Sequence, residues 1–242
     1  MKEARFFYVP DAKSQTELPL EEALHAVRVL RLKSGDEMFL MDGKGTFYEA
    51  EVTIAATKRC MYEIRRELPQ EQAWNGQIHL AMAPTKMMDR VEWMAEKATE
   101  IGFDHLSFLN CKLSERKVMR TVRLDKIIVS ATKQSRKPWK PVISSMVSLK
   151  EFVTQPREGK KFICHCIEEI DRKDLFDELC QPFGDCADVT VMIGPEGDFT
   201  PDEVRLAMDN GFVSVSLGSS RLRTETAALS AVMLANLARR KQ

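Results

Sequence analysis

The sequence predicts an α/β fold in which a sheet of parallel strands follows a small β-rich unit. Apolar runs of about five residues alternate with helical patterns from Ile78 to the C-terminus, which is the signature of strands joined by helical crossovers. The first part of the chain instead carries short β-type runs separated by turn residues. Between them lies LPQEQAWNG, residues 68 to 76, polar and without periodicity, so the domains are placed at residues 1–70 and 74–242. With 242 residues and 44% hydrophobic side chains, the chain can bury a core without metal or disulfide staples.

In the first domain FFYV (6–9), EMFLM (37–41) and the run from Thr46 to Ile54 read as strands, with Asp42-Gly43 and Lys44-Gly45 supplying turn chemistry. Pro19 opens a helix, LEEALHAVRVLRL, whose Leu20, Ala23, Leu24, Val27 and Leu30 recur at helical spacing. On it His25, Arg28 and Arg31 stand three apart and are expected to share one face, either simply solvated or forming an edge for phosphates. Beyond Gly76 the order is strand IHLAMA, helix MDRVEWMAEKATEIG, strand HLSFL, a basic helix, strand VIS, a short helix near Leu149 and strand KFICHCI. Then come helix DLFDEL, strand DVTVMIG, helix PDEVRLAMDNG, strand VSVSLG and a last helix from about Leu222. From Thr226 to Ala238 that helix is apolar nearly all round, so it is buried either within the monomer or by a second copy of the chain.

The net charge is zero but unevenly spread. Residues 112 to 140 hold ten Lys or Arg against Glu115 and Asp125, while residues 168 to 185 hold seven carboxylates against Arg172 and Lys173. Such a basic block is usually a solvated face, but its density, with Trp139 inside it, puts a phosphate-binding face for nucleic acid on equal footing. Six cysteines at irregular spacing suit reduced thiols. Cys164, His165, Cys166, Cys180 and Cys186 match no usual zinc spacing, so no metal is expected. Nothing near Met1 resembles a signal peptide, and no stretch approaches the about 18 apolar residues of a membrane span. The expected location is cytoplasmic, without membrane partners.

Ligands of open α/β sheets collect at the carboxyl ends of strands. Two loops fit that position: Gly194-Pro195-Glu196-Gly197 after VTVMI, and Gly218 to Glu225 after VSVSL. Each begins with glycine, which lets a ligand approach the backbone. Neither is a phosphate loop, since GxxxxGK[ST] and GxGxxG are absent, so the ligand is not gripped by its phosphates.

The stretch IGPEGDFTPDEV followed by SLGSSRLRTETAAL resembles the signature of the bacterial small-subunit ribosomal RNA uridine-N3 methyltransferases, of the SPOUT superfamily. ARFFYVP, HAVRVLRLKSGDEMFLMDGKG, DRVEWMAEKATEIGF, SERK at 114–117 and KQSRKPWKP at 133–141 are similar to blocks of that family in the same order, so the resemblance covers essentially the whole chain. Asp198 departs from it, standing where the family more often has a second glycine. The resemblance implies an N-terminal PUA-like β-barrel that binds RNA and a C-terminal SPOUT methyltransferase domain with a trefoil knot. It implies S-adenosylmethionine as methyl donor, 16S ribosomal RNA or the small ribosomal subunit as substrate, and a homodimer. It assigns Ile193, Gly194, Glu196, Gly197, Leu217, Gly218, Leu222 and Thr224 to the cofactor pocket, with Cys166 at its border.

Methyl transfer to uridine N3 requires removal of the imide proton, stabilisation of charge on the ring oxygens and in-line placement of the reactants. Arg223 is the candidate donor to a uracil oxygen, and Glu225 the candidate proton acceptor or the orienter of a water; the other reading is a structural ion pair or, for Glu225, a first-turn carboxylate favoured by the helix dipole. Arg116, Lys117, Arg136 and Lys137, with Arg5, His25, Arg28 and Arg31, are the candidate RNA contacts. A non-catalytic RNA-binding or ribosome-assembly protein of the same fold is the alternative; it accounts for the basic block but leaves the strand-end loops unexplained.

Overall fold

The computed structural model describes residues 4–72 and 74–240. Two compact units account for the chain: Met1–Ala73 with Val129–Lys140, and Trp74–Ile128 with Pro141–Gln242. The placement of Val129–Lys140 with the first unit has no counterpart in the sequence pattern.

In the first unit β1 (Phe6–Tyr8) runs parallel to β2 (Glu37–Met41), between which lies α1 (Leu20–Leu24). β2, β3 (Thr46–Ala56) and β4 (Arg59–Pro69) form an antiparallel meander, giving a four-stranded sheet among the described residues. Alternation sets the inward face: Met38 and Leu40 of β2, Tyr48, Ala50 and Val52 of β3, and Cys60 and Tyr62 of β4 are buried with Phe7 and Val9. The turn from β2 to β3 is built on the buried Asp42. Its Oδ1 accepts from the amides of Lys44 at 2.7 Å and Thr46 at 3.0 Å, and its Oδ2 from the Tyr48 hydroxyl at 3.2 Å. Gly45, at φ 109°, lies under the Trp139 indole, where a Cβ would come within 2.8 Å. Trp139 thus packs part of its indole on its own unit and is half-buried.

The helix after Pro19 departs from expectation. Only Leu20–Leu24 is α-helical; His25–Val29 is a widened π-turn, and Arg31 has φ 54°, outside any helix. Leu30 and Leu32 donate to the carbonyls of His25 and Ala26, and this winding carries Leu32 into the core. The register of a regular helix is lost. Ala23 and Ala26 are buried while Leu20 is 60% exposed, and His25, Arg28 and Arg31, all exposed, do not share a helical face.

The second unit contains β5 (Ile78–Met82), α2 (Met88–Ile101), β6 (His105–Asn110), the start of α3 (Val122–Gln134), β7 (Val142–Ile143), β8 (Val147–Ser148) and α4 (Leu149–Thr154). It continues with β9 (Lys160–Cys164), β10 (Lys173–Asp174), α5 (Leu175–Cys180), β11 (Val189–Ile193), α6 (Pro201–Asp209), β12 (Val213–Ser216) and α7 (Thr224–Arg239). The sheet order is β10-β12-β9-β11-β5-β6-β7, with β8 also on β6, and every pair is parallel, as the alternation of elements predicts. Helices cover both faces, so central strands read as continuous apolar runs, and all five residues of β11 are buried. Leu80, Val191 and Ile193 face a core with α2, α5 and α7, while Ala81, Met192 and Ile163 face one with α4 and α6.

α7 is less enclosed than its composition suggests. Ala228, Ala231, Val232 and Ala235 are buried, but Met233 and Leu237 are 43% and 39% exposed, leaving an apolar line on its outer side. Because the sheet is parallel, β9, β11 and β12 end side by side: Ile193 pairs with Cys164, and Val215 pairs with Cys164. The loops leaving these three strands meet there.

Candidate active site

The cavity at these strand ends has a volume of about 350 Å³. Its walls are Cys164–Cys166 after β9, Ile193–Glu196 with Asp198 after β11, Ser216–Gly218 and Ser220–Glu225 after β12, and Arg90 and Arg172. The expected cofactor residues Cys166, Ile193, Gly194, Glu196, Leu217, Gly218, Leu222 and Thr224 all line it, as do Arg223 and Glu225. Gly197 does not. It faces Leu113, whose Cβ lies 3.2 Å from where a Gly197 Cβ would stand, so it serves the close approach of the 111–114 loop.

The GPEG stretch is a tight turn closed by Asp198 N–H on the Pro195 carbonyl at 2.9 Å. Gly194 is closely approached, since a Cβ there would stand 3.1 Å from the ring of the buried Phe199, which would have to give slightly. Gly218 is required for its φ of 103°, and a Cβ there would touch nothing within 4 Å, so the backbone lies open to the cavity. After the turn, Thr200 and Glu203 form a capping box with Pro201 in the first turn, which is why a helix starts there.

Neighbouring loops brace this turn. The Glu196 carboxylate accepts from the Lys86 amide at 2.9 Å, and Glu203 accepts from the Lys112 amide at 2.7 Å. Arg116 donates to the carbonyls of Thr85 at 3.2 Å and Lys86 at 2.5 Å. Its guanidinium therefore holds the loop after β5, a structural duty that the expectation of an RNA contact did not include. Lys117 is exposed, with its Nζ 3.1 Å from the Cys111 carbonyl.

On the other wall, Ile167 N–H donates to His165 Nδ1 at 3.2 Å, so Nε2 carries the proton and donates to Ser214 Oγ at 2.8 Å. The Ser214 hydroxyl in turn donates to the Asp171 carbonyl at 2.7 Å. Burial pushes the His165 imidazole below its ordinary value, more than Asp198 draws it up, and the neutral form suits both bonds. Arg172 donates to the His165 carbonyl at 2.9 Å. Burial also pushes the Cys164 thiol up, so it remains protonated and is a packing residue.

Arg223 caps α7 at its N-terminus, is exposed, and has no hydrogen bond or ion pair of its side chain among the described residues. Glu225, in the first turn, is buried and pairs with Arg90 of α2 at 3.3 Å. Arg90 escaped the sequence reading, because nothing local in MDRVEWMAEK marks a cation that pairs with the C-terminal helix. Arg172 and Arg221 were missed likewise; Arg221 stands within a loop singled out for its glycine and serines.

The remaining RNA candidates lie in the first unit. Arg28 and Arg31 are exposed, Arg5 is 4.0 Å from Asp36, His25 packs edge-on to Phe7, and Arg136 stands over the Phe6 ring at 5.3 Å. Lys137 is half-buried. Among the described residues no cluster of His, Cys, Asp and Glu is arranged to hold a metal ion, and no helix is long and apolar enough to cross a membrane.

Comparison with known proteins accords with this geometry. Residues 72–236 match the family described as RNA methyltransferase domain, and residues 18–60 the RNA methyltransferase PUA domain. A probable rRNA-methyltransferase from Porphyromonas gingivalis is 38% identical, with a TM-score of 0.89 over 98% of both chains. A ribosomal RNA small subunit methyltransferase E from Neisseria gonorrhoeae, solved bound to S-adenosyl methionine, is 28% identical with a TM-score of 0.82 over 95% of both. The ribosomal RNA small subunit methyltransferase E of Rickettsia conorii is 26% identical over 90% of this chain and 88% of its own. By the span of the domain match and its identity to a whole-length relative, the chain belongs to the RNA methyltransferase family.

Proposed function

We propose that the protein is an S-adenosylmethionine-dependent methyltransferase acting on N3 of a uridine in 16S ribosomal RNA, in the free RNA or the small subunit. The observation that carries this is an unpartnered arginine, Arg223, on the wall of a strand-end cavity that also holds the paired Glu225. The cavity suits the cofactor. Its about 350 Å³ is in the usual range for small-molecule sites, Ile193, Leu217 and Leu222 offer apolar walls, and Glu196 offers a carboxylate for hydroxyls or positive charge. The cofactor, when bound, supplies an electrophilic methyl group on a sulfonium.

The chain's own residues do the rest. Arg223 donates to the uracil oxygen on which negative charge grows, an interaction worth most where water is excluded. Glu225 has Oε1 on Arg90, which leaves Oε2 to take the N3 proton or to hold a water that takes it. A paired, stacked N3 is out of reach, so the target base leaves its stack, and phosphate contacts from Arg28, Arg31 and Lys117 position it. The first unit is read as the PUA-like barrel, the 74–242 domain as the knotted SPOUT domain, and the protein as a cytoplasmic homodimer. The knot rests on the family resemblance, with which the sheet order, β11 between β5 and β9, is compatible.

Calorimetry and single-turnover assays test the assignment together. Wild-type protein is expected to bind S-adenosylmethionine without added metal. Arg223→Ala is expected to bind within a few fold of wild type yet transfer methyl ~10²-fold more slowly, since the lost donor acts on charge present only in the transition state. A wild-type rate at saturating RNA would remove Arg223 from the chemistry.

A further inference from the structure

Asp198 has the one backbone conformation in the GPEGD turn that disfavours its residue type, φ 66°, in the left-handed region where glycine is at ease. Both its carboxylate oxygens are in use. Oδ1 accepts from its neighbour Phe199 N–H at 2.8 Å, and Oδ2 from Cys166 N–H at 2.7 Å. Phe199 is buried against Gly194, so one end of this bridge is anchored in the core. The other end is the first exposed residue beyond β9, on the opposite wall of the cavity.

From this geometry we infer that Asp198 is a positioning residue of the cofactor cavity, tying the loop after β11 to the loop after β9. The inference rests on the cofactor reading above and adds to it which residue sets the gap between two of the walls. The β9 loop is held internally by Ile167 N–H and Arg172 on His165 and is tied to β12 by His165 on Ser214, whereas the Asp198 bridge ties it to the loop after β11. The bridge also occupies the Cys166 N–H, so Cys166 faces a cofactor through its carbonyl and thiol and not through its amide. A charged acceptor on two amides is a strong tie, because hydrogen bonds to ionised groups are roughly twice as strong as neutral ones.

Three variants separate the bond from the backbone conformation. Asp198→Gly keeps the positive φ and removes both acceptors; Asp198→Asn tolerates the φ and keeps one acceptor; Asp198→Ala removes both and adds strain. The full-length proteins are titrated with S-adenosylmethionine, and amide exchange at Cys166 is followed without cofactor. The expected result is a loss of about tenfold in affinity for Gly, about threefold for Asn, and fast exchange at Cys166 in Gly and Ala. Wild-type affinity and a protected Cys166 amide in the Gly variant overturn the inference, as does weakening confined to Ala. Were wild type itself not to bind, the cofactor reading would fail, and exchange at Cys166 would still decide the tie.

Discussion

Arg28 and Arg116 look alike in the sequence, two cations in basic surroundings, and differ in what surrounds them. Arg28 is exposed and without a partner among the described residues, whereas the Arg116 guanidinium bonds two carbonyls of the loop that also receives Glu196. Arg28→Ala is therefore expected to lower the slope of log affinity against log salt by about 0.7 to 0.9, one phosphate contact, and to leave the melting temperature unchanged. Arg116→Ala is expected to lower the melting temperature and weaken cofactor binding, with little change of slope. RNA titrations at several salt concentrations, with thermal melts, distinguish the two; equal slopes for Arg28→Ala and wild type would remove Arg28 from the interface. The presence of Arg223, Glu225, Gly194 and Gly218 at the cavity wall was legible because strand-end loops announce themselves locally, whereas Gly197 faces Leu113 instead. Arg90, Asp198 and the duty of Arg116 were not, since each acts on a partner distant in sequence.

Among the elements, the parallel strands were legible because a sheet covered on both faces demands unbroken apolar runs such as VTVMI. β4 was missed because only Cys60 and Tyr62 are buried along RCMYEIRRELP, and its outer face carries arginines paired across to Glu49 and Glu51 of β3. The π-turn at His25–Val29 has no local code at all, being set by the demand that Leu32 enter the core. Strand β5 also carries a pH prediction. His79 is half-buried beside Phe152 and bonded to Ser107 Oγ at 2.8 Å, and burial, with Arg157 and His105 adding, lowers its pKa to about 3 from 6.5. The native state thus holds it neutral while the unfolded chain takes up a proton below about pH 6.5. Its contribution to stability is full above that pH and falls by up to about 1.4 kcal/mol per pH unit on descent towards about 3. In urea melts between pH 7 and 4.5, His79→Gln is expected to lose stability less steeply than wild type. Parallel curves would contradict this.

At the scale of the whole molecule, neutrality conceals separation of charge, with the 112–140 block basic and the 168–185 stretch acidic. Part of the basic block is spent on structure: Lys133 pairs with Glu22 at 2.6 Å and Arg123 with Glu92 at 2.8 Å. Lys112 and Arg120 remain exposed without ion pairs among the described residues. The outer line of α7 presents Met233 and Leu237, apolar and exposed in a helix otherwise packed on α2 and α5. A second copy of the chain is the expected cover, so light scattering should give twice 27.6 kDa for wild type and the monomer mass when Met233 and Leu237 are both changed to Glu. A monomeric wild type at micromolar concentration would contradict it. The central claim is tested most directly by incubating the purified protein with methyl-labelled S-adenosylmethionine and small ribosomal subunits from cells lacking its gene, then digesting the RNA and separating the nucleosides. The account predicts label in 3-methyluridine at one position, abolished by Arg223→Ala; label in another nucleoside, or none with wild type, would contradict it.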